Sequence, residues 1–600
     1  MCAIFGVLGE YNTKTAHHAL KSMAHRGPDY CGVVEERNVF FAHQRLSILD
    51  LHERAHQPLR HQNVLLSFNG EIYNFKALKK ELDFEFKGES DTEVLLAAYM
   101  KWGIDFISRL TGMFAIAIKD GETLYLIRDR LGKKPLFYLH QKACFAFASE
   151  IKGLKPFLKQ TKMNNDAMLS YLSFLAPTPP HTFYEGIEKL EAGMYLCYKD
   201  GKVEKKRYFS LLDGDRDAVS SEEEAIKGVH ERLEKSLHLR LACDVPIASL
   251  LSGGIDSALM VAMATKQGQN LKTFTLGYEG FSNYDESDNA LQTSLELGVS
   301  NQNIQINEQM FMRASEAVFE SLDEPLNDPA AVPLYLLFEG IKKEGYKVVL
   351  SGEGSDELFL GYRQYFEYLD IEKAKGLLHK NWLKKYFRAN FSMNREWEWY
   401  KRIFNDEVLF RTSGDKFTDL QKNQLLRQNV RDGASMAYLQ PYRDDFESSS
   451  FKDESFWYSY VDLKQFQAEH FLTKLDRVSM AHAIESRTPY LDHNLVQYVF
   501  SLAPELRYQK GVTKALLKSV ATPYLSSHIL NRKKKGFSNP YMEYLIASGA
   551  ISLIQEVNKK TKMFHEDVLA RYIQTAKKGT FKQHIWGLYV LSYWIKKNLL

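Results

Sequence analysis

The sequence predicts two domains of different fold class: an antiparallel α+β domain, then a parallel α/β domain that continues into a helical part. Strand-and-turn patterns dominate up to about residue 150, whereas strands alternate with helices from about residue 220. Beyond Tyr362 the pattern is almost wholly helical. A chain of 600 residues is also too long to bury one hydrophobic core, so more than one domain is expected.

The first half is predicted to be antiparallel because it contains a clear β-hairpin. Residues 113–119 lead into Asp120-Gly121 and then into residues 123–128, and an Asp-Gly pair between two apolar runs is a strong hairpin signal. Further strands are predicted over residues 39–49, 64–69 and 144–148, and helices over residues 16–24 and 92–102. Residues 155–208 are expected to join the two halves, with a rigid turn at the proline-rich residues 176–180.

The second half is predicted to begin with a long helix, because Ser221-Glu-Glu-Glu224 forms a capping box. Strands are then predicted over residues 245–251, 272–276, 303–306 and 348–350, with helices over residues 258–266, 291–297, 311–322 and 332–343. This alternation is typical of a doubly wound parallel sheet with helices on both faces.

The bulk composition excludes several classes of protein. Hydrophobic residues make up 45% of the chain and charged residues 26%, and the net charge of +3 gives no case for binding nucleic acid or a membrane surface. No apolar run approaches the roughly 18 residues that span a bilayer, and the N-terminus does not resemble a secretory signal. The odd number of cysteines, without a C-x-x-C pair, suits a reducing compartment, so the cytoplasm is expected: Cys2, Cys31, Cys144, Cys197 and Cys243.

Cys2 is a candidate nucleophile because of its position. Removal of the initiator Met1 would give this residue both a thiol and a free α-amino group. The pKa of a thiol is about 8.5 and that of an α-amine about 7.7–8.0, so proton transfer between the two costs little near neutral pH. An N-terminal amine that activates the nucleophile of its own residue is a known solution to acyl transfer.

A polar Gly-Gly turn opens the second half. The apolar residues 247–251 lead into Ser252-Gly253-Gly254-Ile-Asp256-Ser257, and a helical pattern follows at once. Free backbone N–H groups at a helix start bind anions, and two glycines allow a phosphate to approach the backbone closely. No Walker A motif occurs, and Asp256 would repel bare phosphate, so a bridging Mg²⁺ is expected. The S-G-G-x-D-S motif resembles the pyrophosphate loop of the ATP pyrophosphatase family.

A second acidic loop follows the predicted strand over residues 348–350. It reads Ser351-Gly-Glu353-Gly-Ser-Asp356-Glu357, and the loops at the carboxyl ends of parallel strands converge on one crevice. Glu353, Asp356 and Glu357 are therefore expected near the Ser252 loop. Asp256 and Asp356 are the candidate metal ligands. Taken alone, Asp356 and Glu357 are also compatible with a solvated helix N-terminus.

The two halves together resemble one family, the glutamine-hydrolysing (class B) asparagine synthetases. The resemblance depends on short motifs that occur in a specific order along nearly the whole chain. In the first half these are residues 1–6, 25–29, 45–50, 68–74, 90–93 and 129–136. In the second half they are residues 252–257, 351–357, 474–480, 485–492 and 532–537.

The resemblance implies a fold and a reaction. Residues 2–208 are expected to form an N-terminal-nucleophile (Ntn) glutaminase domain of four layers with its connector. Residues 209–600 are expected to form an ATP pyrophosphatase-type α/β synthetase domain with a helical C-terminal part. Glutamine would be hydrolysed at Cys2, and ammonia would travel inside the protein to a site where ATP, with Mg²⁺, and aspartate form β-aspartyl-AMP. The resemblance is also compatible with a homodimer.

The resemblance also implies residue roles at both sites. In the first site Arg45 would hold the glutamine α-carboxylate, Asn69 and Gly70 would form the oxyanion hole, and Asp91 would bind the ammonium group. The remaining glutamine-binding positions are Leu46, Ser47, Ile48, Leu49 and Glu71. The ATP-binding positions are Leu251, Ser252, Gly253, Gly254, Asp256, Ser257, Leu276, Ser351 and Gly352. Glu353 would make and consume the acyl-adenylate, and Lys534 would steady the departing pyrophosphate.

Several readings of these residues stay open. Asn69-Gly70 is also a common hairpin turn, Ser90 to Glu93 is also a capping box, and residues 532–535 also read as a solvated basic run. The segment from Leu322-Asp-Glu-Pro325 to Pro333 lacks the Thr/Arg acceptor segment of better-known bacterial members. The same chemistry on another carboxylate, such as a uronic acid, is therefore an alternative. The other two alternatives are a glutaminase without ATP chemistry and a catalytically silent scaffold.

Overall fold

The computed structural model describes residues 2–214, 219, 221–377, 380–390, 395–532 and 538–600. The N-terminal domain contains two six-stranded sheets. The first has the order β10-β8-β9-β1-β3-β2 and the second the order β12-β11-β7-β6-β5-β4. Their strands are β1 (Ala3–Gly9), β2 (Tyr30–Glu36), β3 (Val39–Arg45), β4 (Leu59–His61), β5 (Val64–Ile72), β6 (Gly112–Asp120), β7 (Thr123–Arg128), β8 (Phe137–His140), β9 (Cys144–Ala148), β10 (Ile187–Lys189), β11 (Met194–Lys199) and β12 (Lys202–Arg207).

The two sheets pack face to face between two layers of helices. Alternating apolar residues of both sheets, such as Ile4, Phe41 and Leu126, form the core between them. Helices α1 (Thr13–Lys21) and α4 (Asn165–Phe174) cover the outer face of the first sheet, while α2 (Phe75–Glu81) and α3 (Asp91–Trp102) cover that of the second. The predicted four-layer α+β arrangement is confirmed, including the hairpin of β6 and β7.

The segment expected to join the two halves is part of the N-terminal domain. Within residues 155–208, β10 extends the first sheet and the hairpin of β11 and β12 extends the second. Leu196 of β11 lies in the core between the sheets, and Tyr171 of α4 is buried beneath the first sheet. Strands β10 and β12 are rich in charged residues because each lies at a sheet edge, where it pairs with one neighbouring strand.

The second domain contains one five-stranded parallel sheet in the order β15-β14-β13-β16-β17, which confirms the predicted parallel α/β class. Its strands are β13 (Ile247–Leu250), β14 (Lys272–Tyr278), β15 (Asn301–Ile306), β16 (Val348–Leu350) and β17 (Glu485–Arg487). Its helices are α5 (Glu222–Leu241), α6 (Ile255–Lys266), α7 (Ser287–Leu297), α8 (Glu308–Ser321), α9 (Ala331–Lys343) and α10 (Ser355–Leu358).

Beyond Tyr362, the described residues form helices and connecting loops together with strand β17, so the expectation of an almost wholly helical C-terminal part misses one strand. Its helices are α11 (Arg363–Glu372), α12 (Lys380–Ala389), α13 (Arg395–Phe404), α14 (Asp419–Leu425), α15 (Ala434–Ala437), α16 (Gln440–Ser448), α17 (Glu454–Val461), a π-helix (Asp462–Phe471), α18 (Leu472–Met480), α19 (His493–Ser501), α20 (Pro504–Arg507), α21 (Ala515–Ala521), α22 (Ser527–Leu530), α23 (Tyr541–Ala547), α24 (Ser552–Thr561), α25 (Glu566–Lys577) and α26 (Lys582–Asn598). In the part of the chain that is described, none of the helices combines the length and apolar character needed to cross a membrane.

Buried ion pairs join the two domains. The Arg26 guanidinium is fully buried and donates hydrogen bonds to Glu150 of its own domain and to Asp476 of α18, each at 2.8 Å from Nη1. Lys134 Nζ lies 3.7 Å from the same Asp476 carboxylate. A second link, between Arg207 and Asp445, spans 2.7 Å, but both side chains are more than a third exposed. Domain orientation depends on the buried links, which also include Arg477 with Glu150, more than on the exposed one, because an uncompensated buried charge is costly.

Truncating Asp476 should therefore destabilise the whole chain. Asp476→Ala leaves Arg26 and Lys134 without their shared carboxylate, so we expect the free energy of unfolding to fall by about 3–5 kcal/mol. Asp445→Ala is the matched control at the exposed link and should change that free energy by less than about 1 kcal/mol. Urea unfolding of both variants measures the difference. Equal effects of the two substitutions would contradict this assignment.

Candidate active sites

Cys2 lies immediately before β1, at the centre of the first sheet. Its backbone nitrogen donates to Asn69 Oδ1 at 3.0 Å, and its carbonyl accepts from Arg26 Nε at 3.0 Å. Burial raises the pKa of the Cys2 thiol. The thiol therefore stays protonated at neutral pH until a nearby base takes the proton, and loss of Met1 would turn the adjacent backbone nitrogen into such a base.

Asn69 presents an unused donor beside Cys2. It is fully buried in β5, where it faces Ala115 of β6, and its Nδ2 has no hydrogen-bond partner among the described residues. A buried donor without a partner costs free energy unless a ligand accepts its hydrogen bond. Gly70 follows Asn69 in the strand. A Cβ at position 70 would lie 2.0 Å from the Met113 carbonyl oxygen, so no residue larger than glycine fits there. These two positions do not form a hairpin turn, because β5 continues through both to Ile72; their role as an oxyanion hole stays a prediction.

Two buried carboxylates lie on the same side of the site. Asp91 begins α3, accepts a hydrogen bond from the Ile72 backbone N–H at 3.0 Å, and has its pKa raised to about 7 by burial. Burial also raises the pKa of Glu71 well above its usual range, against the opposing effect of Arg487. A bound ammonium group would favour the ionised form of both carboxylates.

Arg45 ends β3, and its guanidinium shapes the loop that follows. It donates to the carbonyl oxygens of His52 at 3.0 Å and Leu49 at 3.4 Å, and also to that of Asp50. The loop therefore closes around the charged group that was predicted to hold a carboxylate. Within it, the Ser47 backbone N–H donates to Asp29 at 2.7 Å, whereas Leu46 and Ile48 turn away from the solvent and pack against the second domain.

The Ser252 loop connects β13 to α6 at the carboxyl end of the parallel sheet. The Ser257 hydroxyl accepts a hydrogen bond from the Ser252 backbone N–H at 3.2 Å, and Gly253 adopts a φ of +73°, which favours glycine. The loop lies beside the end of β14, since the Leu251 carbonyl accepts from Thr275 Oγ1 at 2.6 Å next to Leu276. Gly254 is the N-cap of α6, so the first N–H groups of the helix face the loop as expected for an anion site.

The acidic loop after β16 meets the Ser252 loop. A Cβ on Gly352 would lie 3.3 Å from the Cβ of Asp256. Asp256 and Asp356 approach each other closely enough to share one cation, because Lys514 Nζ lies 2.5 Å from an oxygen of the former and 2.8 Å from an oxygen of the latter. The predicted convergence of the two loops is thus present in the structure.

The two glutamates of the acidic loop differ in burial. Glu353 is half-buried. Glu357 is buried and accepts a hydrogen bond from the Tyr362 hydroxyl at 2.6 Å, and burial raises its pKa to about 8. The Glu357 carboxylate thus contacts Tyr362, which precedes α11, and its expected proximity to the Ser252 loop stays a prediction.

The carboxylates around Lys514 fit a magnesium ion that arrives with its substrate. The described residues contain no group of three or more His, Cys, Asp or Glu side chains that could hold a metal ion alone. Mg²⁺ is usually held by one or two carboxylates together with substrate phosphates and water. Asp256 and Asp356 supply such a pair beside a helix N-terminus suited to phosphate.

Two cations at this site, Lys514 and Arg532, were not among the predicted site residues. Lys514 precedes α21 in a left-handed conformation, and its two carboxylate partners lie far away in the chain. Arg532 donates to the Gly253 carbonyl at 2.7 Å and to Thr293 Oγ1 at 3.0 Å, so the basic run that begins there starts at the nucleotide loop. Lys534, the predicted pyrophosphate contact, lies outside the described residues.

Comparison with known proteins assigns both halves of the chain. Residues 228–596 match the family model of asparagine synthase, and residues 1–209 match that of a glutamine amidotransferase domain. The chain is similar to the glutamine-hydrolysing asparagine synthetase 1 of Bacillus subtilis strain 168, with 32% identity over 627 residues, 100% of this chain and 97% of that protein. It is 30% identical to the amidase chyE of Penicillium rubens, over 88% of this chain and 86% of that protein. It is 27% identical to asparagine synthetase 3 of the same Bacillus strain, over 87% of this chain and 84% of that protein.

The position of Lys514 predicts competition between this lysine and a divalent ion. Lys514→Met removes the cation that the two carboxylates share, so in the absence of nucleotide we expect Mn²⁺ to bind about tenfold more tightly, a change of about 1.4 kcal/mol. Titration followed by electron paramagnetic resonance of free Mn²⁺ measures this affinity. Lys510→Met, at an exposed lysine nearby in the chain, is the control and should leave it unchanged. Unaltered Mn²⁺ binding by Lys514→Met would show that the two carboxylates do not form the metal site.

Proposed function

Because the chain belongs to the asparagine synthase family, we propose that it makes asparagine from aspartate with glutamine as nitrogen donor and ATP as energy source. Glutamine is hydrolysed to glutamate at the Cys2 site. Ammonia reaches the second site, where aspartate and ATP have formed β-aspartyl-AMP and pyrophosphate, and it displaces AMP. The chain thus works as a carbon–nitrogen ligase with two active sites, and we expect it in the cytoplasm.

The observation that carries this proposal is the coexistence of two complementary sites in one chain. The unused Asn69 donor beside Cys2 suits a tetrahedral oxyanion. The Asp256–Asp356 pair beside the Ser252 loop suits a metal-bound triphosphate. A glutaminase that does not use ATP has no need of the second site, and a silent scaffold has no need of either.

At the first site, the Cys2 residue supplies both nucleophile and base. The α-amine takes the thiol proton, the sulfur attacks the carboxamide carbon, and Asn69 Nδ2 with the Gly70 N–H stabilises the oxyanion. The amine then gives its proton to the leaving nitrogen, so ammonia departs and a thioester remains. Water hydrolyses this thioester to glutamate and restores the thiol. Loss of an oxyanion-hole donor typically costs about 10²–10³ in rate.

At the second site, the residues neutralise and orient the triphosphate. Mg²⁺ held by Asp256 and Asp356 would offset the charge of the phosphates as the α–β bond breaks. Lys514 holds the two carboxylates in position, and Lys534 is expected to steady the pyrophosphate. Glu353, in the acidic loop, is expected to accept a proton from ammonia as it attacks the acyl-adenylate.

The proposed nucleophile predicts a clean separation of the two activities. Cys2→Ala should abolish glutamine hydrolysis while asparagine formation with added ammonium continues, because the second site does not use the thiol. Glutamate release and asparagine are measured by chromatography, and Cys31→Ala, at an exposed cysteine, is the control. Residual glutamine hydrolysis by Cys2→Ala, or Met1 retained on active enzyme by mass spectrometry, would contradict the assignment.

The acceptor and the adenylate are tested together by isotope transfer. With ATP, Mg²⁺, ammonium and aspartate labelled with ¹⁸O in its β-carboxylate, we expect label in AMP, because the carboxylate oxygen stays with the phosphorus when ammonia displaces AMP. Glu353→Gln and Asp256→Asn should suppress the transfer by about 10²-fold or more. Uronic acids supplied in place of aspartate should give no AMP. Label in inorganic phosphate would instead indicate an acyl phosphate.

Asp91 predicts a pH dependence of glutamine binding. Its folded-state pKa is about 7, raised by burial, so the carboxylate loses its charge as the pH falls below that value. The KM for glutamine should therefore rise as the pH falls from about 8 to about 6, approaching tenfold per unit. Asp91→Asn should have a high KM throughout and lack this rise. An identical pH profile of KM in the variant would exclude Asp91 as the ammonium partner.

A further inference from the structure

We propose that Arg487, on strand β17 of the second domain, is a positioning residue for the glutamine site of the first domain. Through it, nucleotide bound at the Ser351 loop tightens glutamine binding. This inference rests on the proposed function only in taking the ligands to be glutamine and ATP; it does not depend on the acceptor.

The Arg487 guanidinium is fixed by its own domain and presents one face to the other. It is fully buried. Its Nε donates to Glu485 at 2.7 Å, and its Nη1 donates to the carbonyl oxygens of Arg240 at 2.7 Å and Ala242 at 2.9 Å. The remaining nitrogen, Nη2, lies 3.5 Å from Glu71 Oε2 and makes no hydrogen bond within the described residues. The guanidinium is thus anchored on three sides and directed at Glu71.

Arg487 lies where it stabilises the charged form of Glu71. Burial raises the pKa of the Glu71 carboxyl, and Asp91 raises it further, while Arg487 acts in the opposite direction. Loss of Arg487 would therefore shift this carboxyl further toward its neutral form and weaken its attraction for the polar end of a substrate. The same guanidinium also lies over the ring of Tyr73, 5.7 Å from its centroid, which fixes the chain just beyond Glu71.

The backbone of Arg487 contacts the nucleotide site directly. Strand β17 pairs in parallel with β16, with Arg487 opposite Leu350, and the Arg487 carbonyl accepts a hydrogen bond from the Ser351 N–H at 2.9 Å. Ser351 is the first residue of the loop that meets the Ser252 loop. One residue therefore touches the nucleotide loop through its carbonyl and the glutamine site through its side chain, with no intervening residue.

The loop of residues 46–50, beside the glutamine site, packs against the parallel sheet that contains β16 and β17. Leu46 and Ile48 pack against Val348, the first residue of β16. The Asp244 N–H donates to the Ile48 carbonyl at 3.0 Å, and the Asp50 N–H donates to Asp244 Oδ2 at 2.8 Å. A shift of β16 and β17 when nucleotide binds would therefore reach both Glu71 and the 46–50 loop.

Equilibrium binding to the full-length Cys2→Ala protein tests this link without turnover. By calorimetry, we expect α,β-methylene-ATP with Mg²⁺ to tighten glutamine binding by about fivefold or more, and glutamine to tighten analogue binding by the same factor, because coupling is reciprocal. Arg487→Lys should weaken glutamine binding by about tenfold and abolish the response to the analogue. Arg207→Lys, at the exposed interdomain pair, is the matched control and should leave both unchanged.

Glu71→Gln gives an independent test that leaves the second domain intact. It should weaken glutamine binding and remove the analogue response, and Arg487→Lys should add no further loss in the double variant. If Arg487→Lys does not fold, Glu71→Gln alone decides. A full analogue response in Glu71→Gln, or additive losses in the double variant, would overturn the proposal. Failure of the parent protein to bind glutamine at all would instead contradict the proposed function.

Discussion

The buried Arg26 guanidinium is the interaction on which the rest of this structure depends. It holds the carbonyl of Cys2, pairs with Glu150 of the first domain, and reaches Asp476 of the second. Glu150 is in turn bound by Arg477 at 2.8 Å. Buried charges tolerate little change in geometry, because any movement leaves one of them unpaired in a medium that cannot hydrate it. The nucleophile and the second domain are therefore held in one relative orientation, as transfer of ammonia between two sites requires.

Much of the fold could be predicted from sequence because the signals are local. The apolar run at β16 predicted a buried parallel strand with the observed bounds, and the Asp120-Gly121 turn predicted the hairpin of β6 and β7. Strand β17 could not be predicted, since Glu485-Ser486-Arg487 is neither apolar nor alternating. These residues become a strand only because β16 offers a free edge. The edge strands within residues 155–208 escaped prediction for the same reason.

In the candidate sites, too, local motifs could be predicted and contacts between distant parts of the chain could not. Cys2, the Ser252 loop and the Asp256–Asp356 pair could be placed from motif chemistry and from the rule that parallel strands end at one crevice. The contacts of Lys514, Arg532 and Arg487 could not, because each meets its partners across long stretches of chain, although Arg487 and Arg532 lie within the motifs that carry the family resemblance. The inward orientation of Glu357 likewise depends on Tyr362 and on its burial, which the acidic motif alone does not specify.

The central claim is that ammonia passes from the first site to the second inside the protein and is not released into solution. The most direct measurement is asparagine synthesis from glutamine labelled with ¹⁵N in its amide, in the presence of a large excess of unlabelled ammonium. If ammonia is transferred internally, most of the asparagine should carry the ¹⁵N label despite the unlabelled ammonium in solution. Mass spectrometry measures the labelled fraction. Asparagine whose label matches the diluted pool in solution would contradict the account, because the two sites would then be independent enzymes that share a chain.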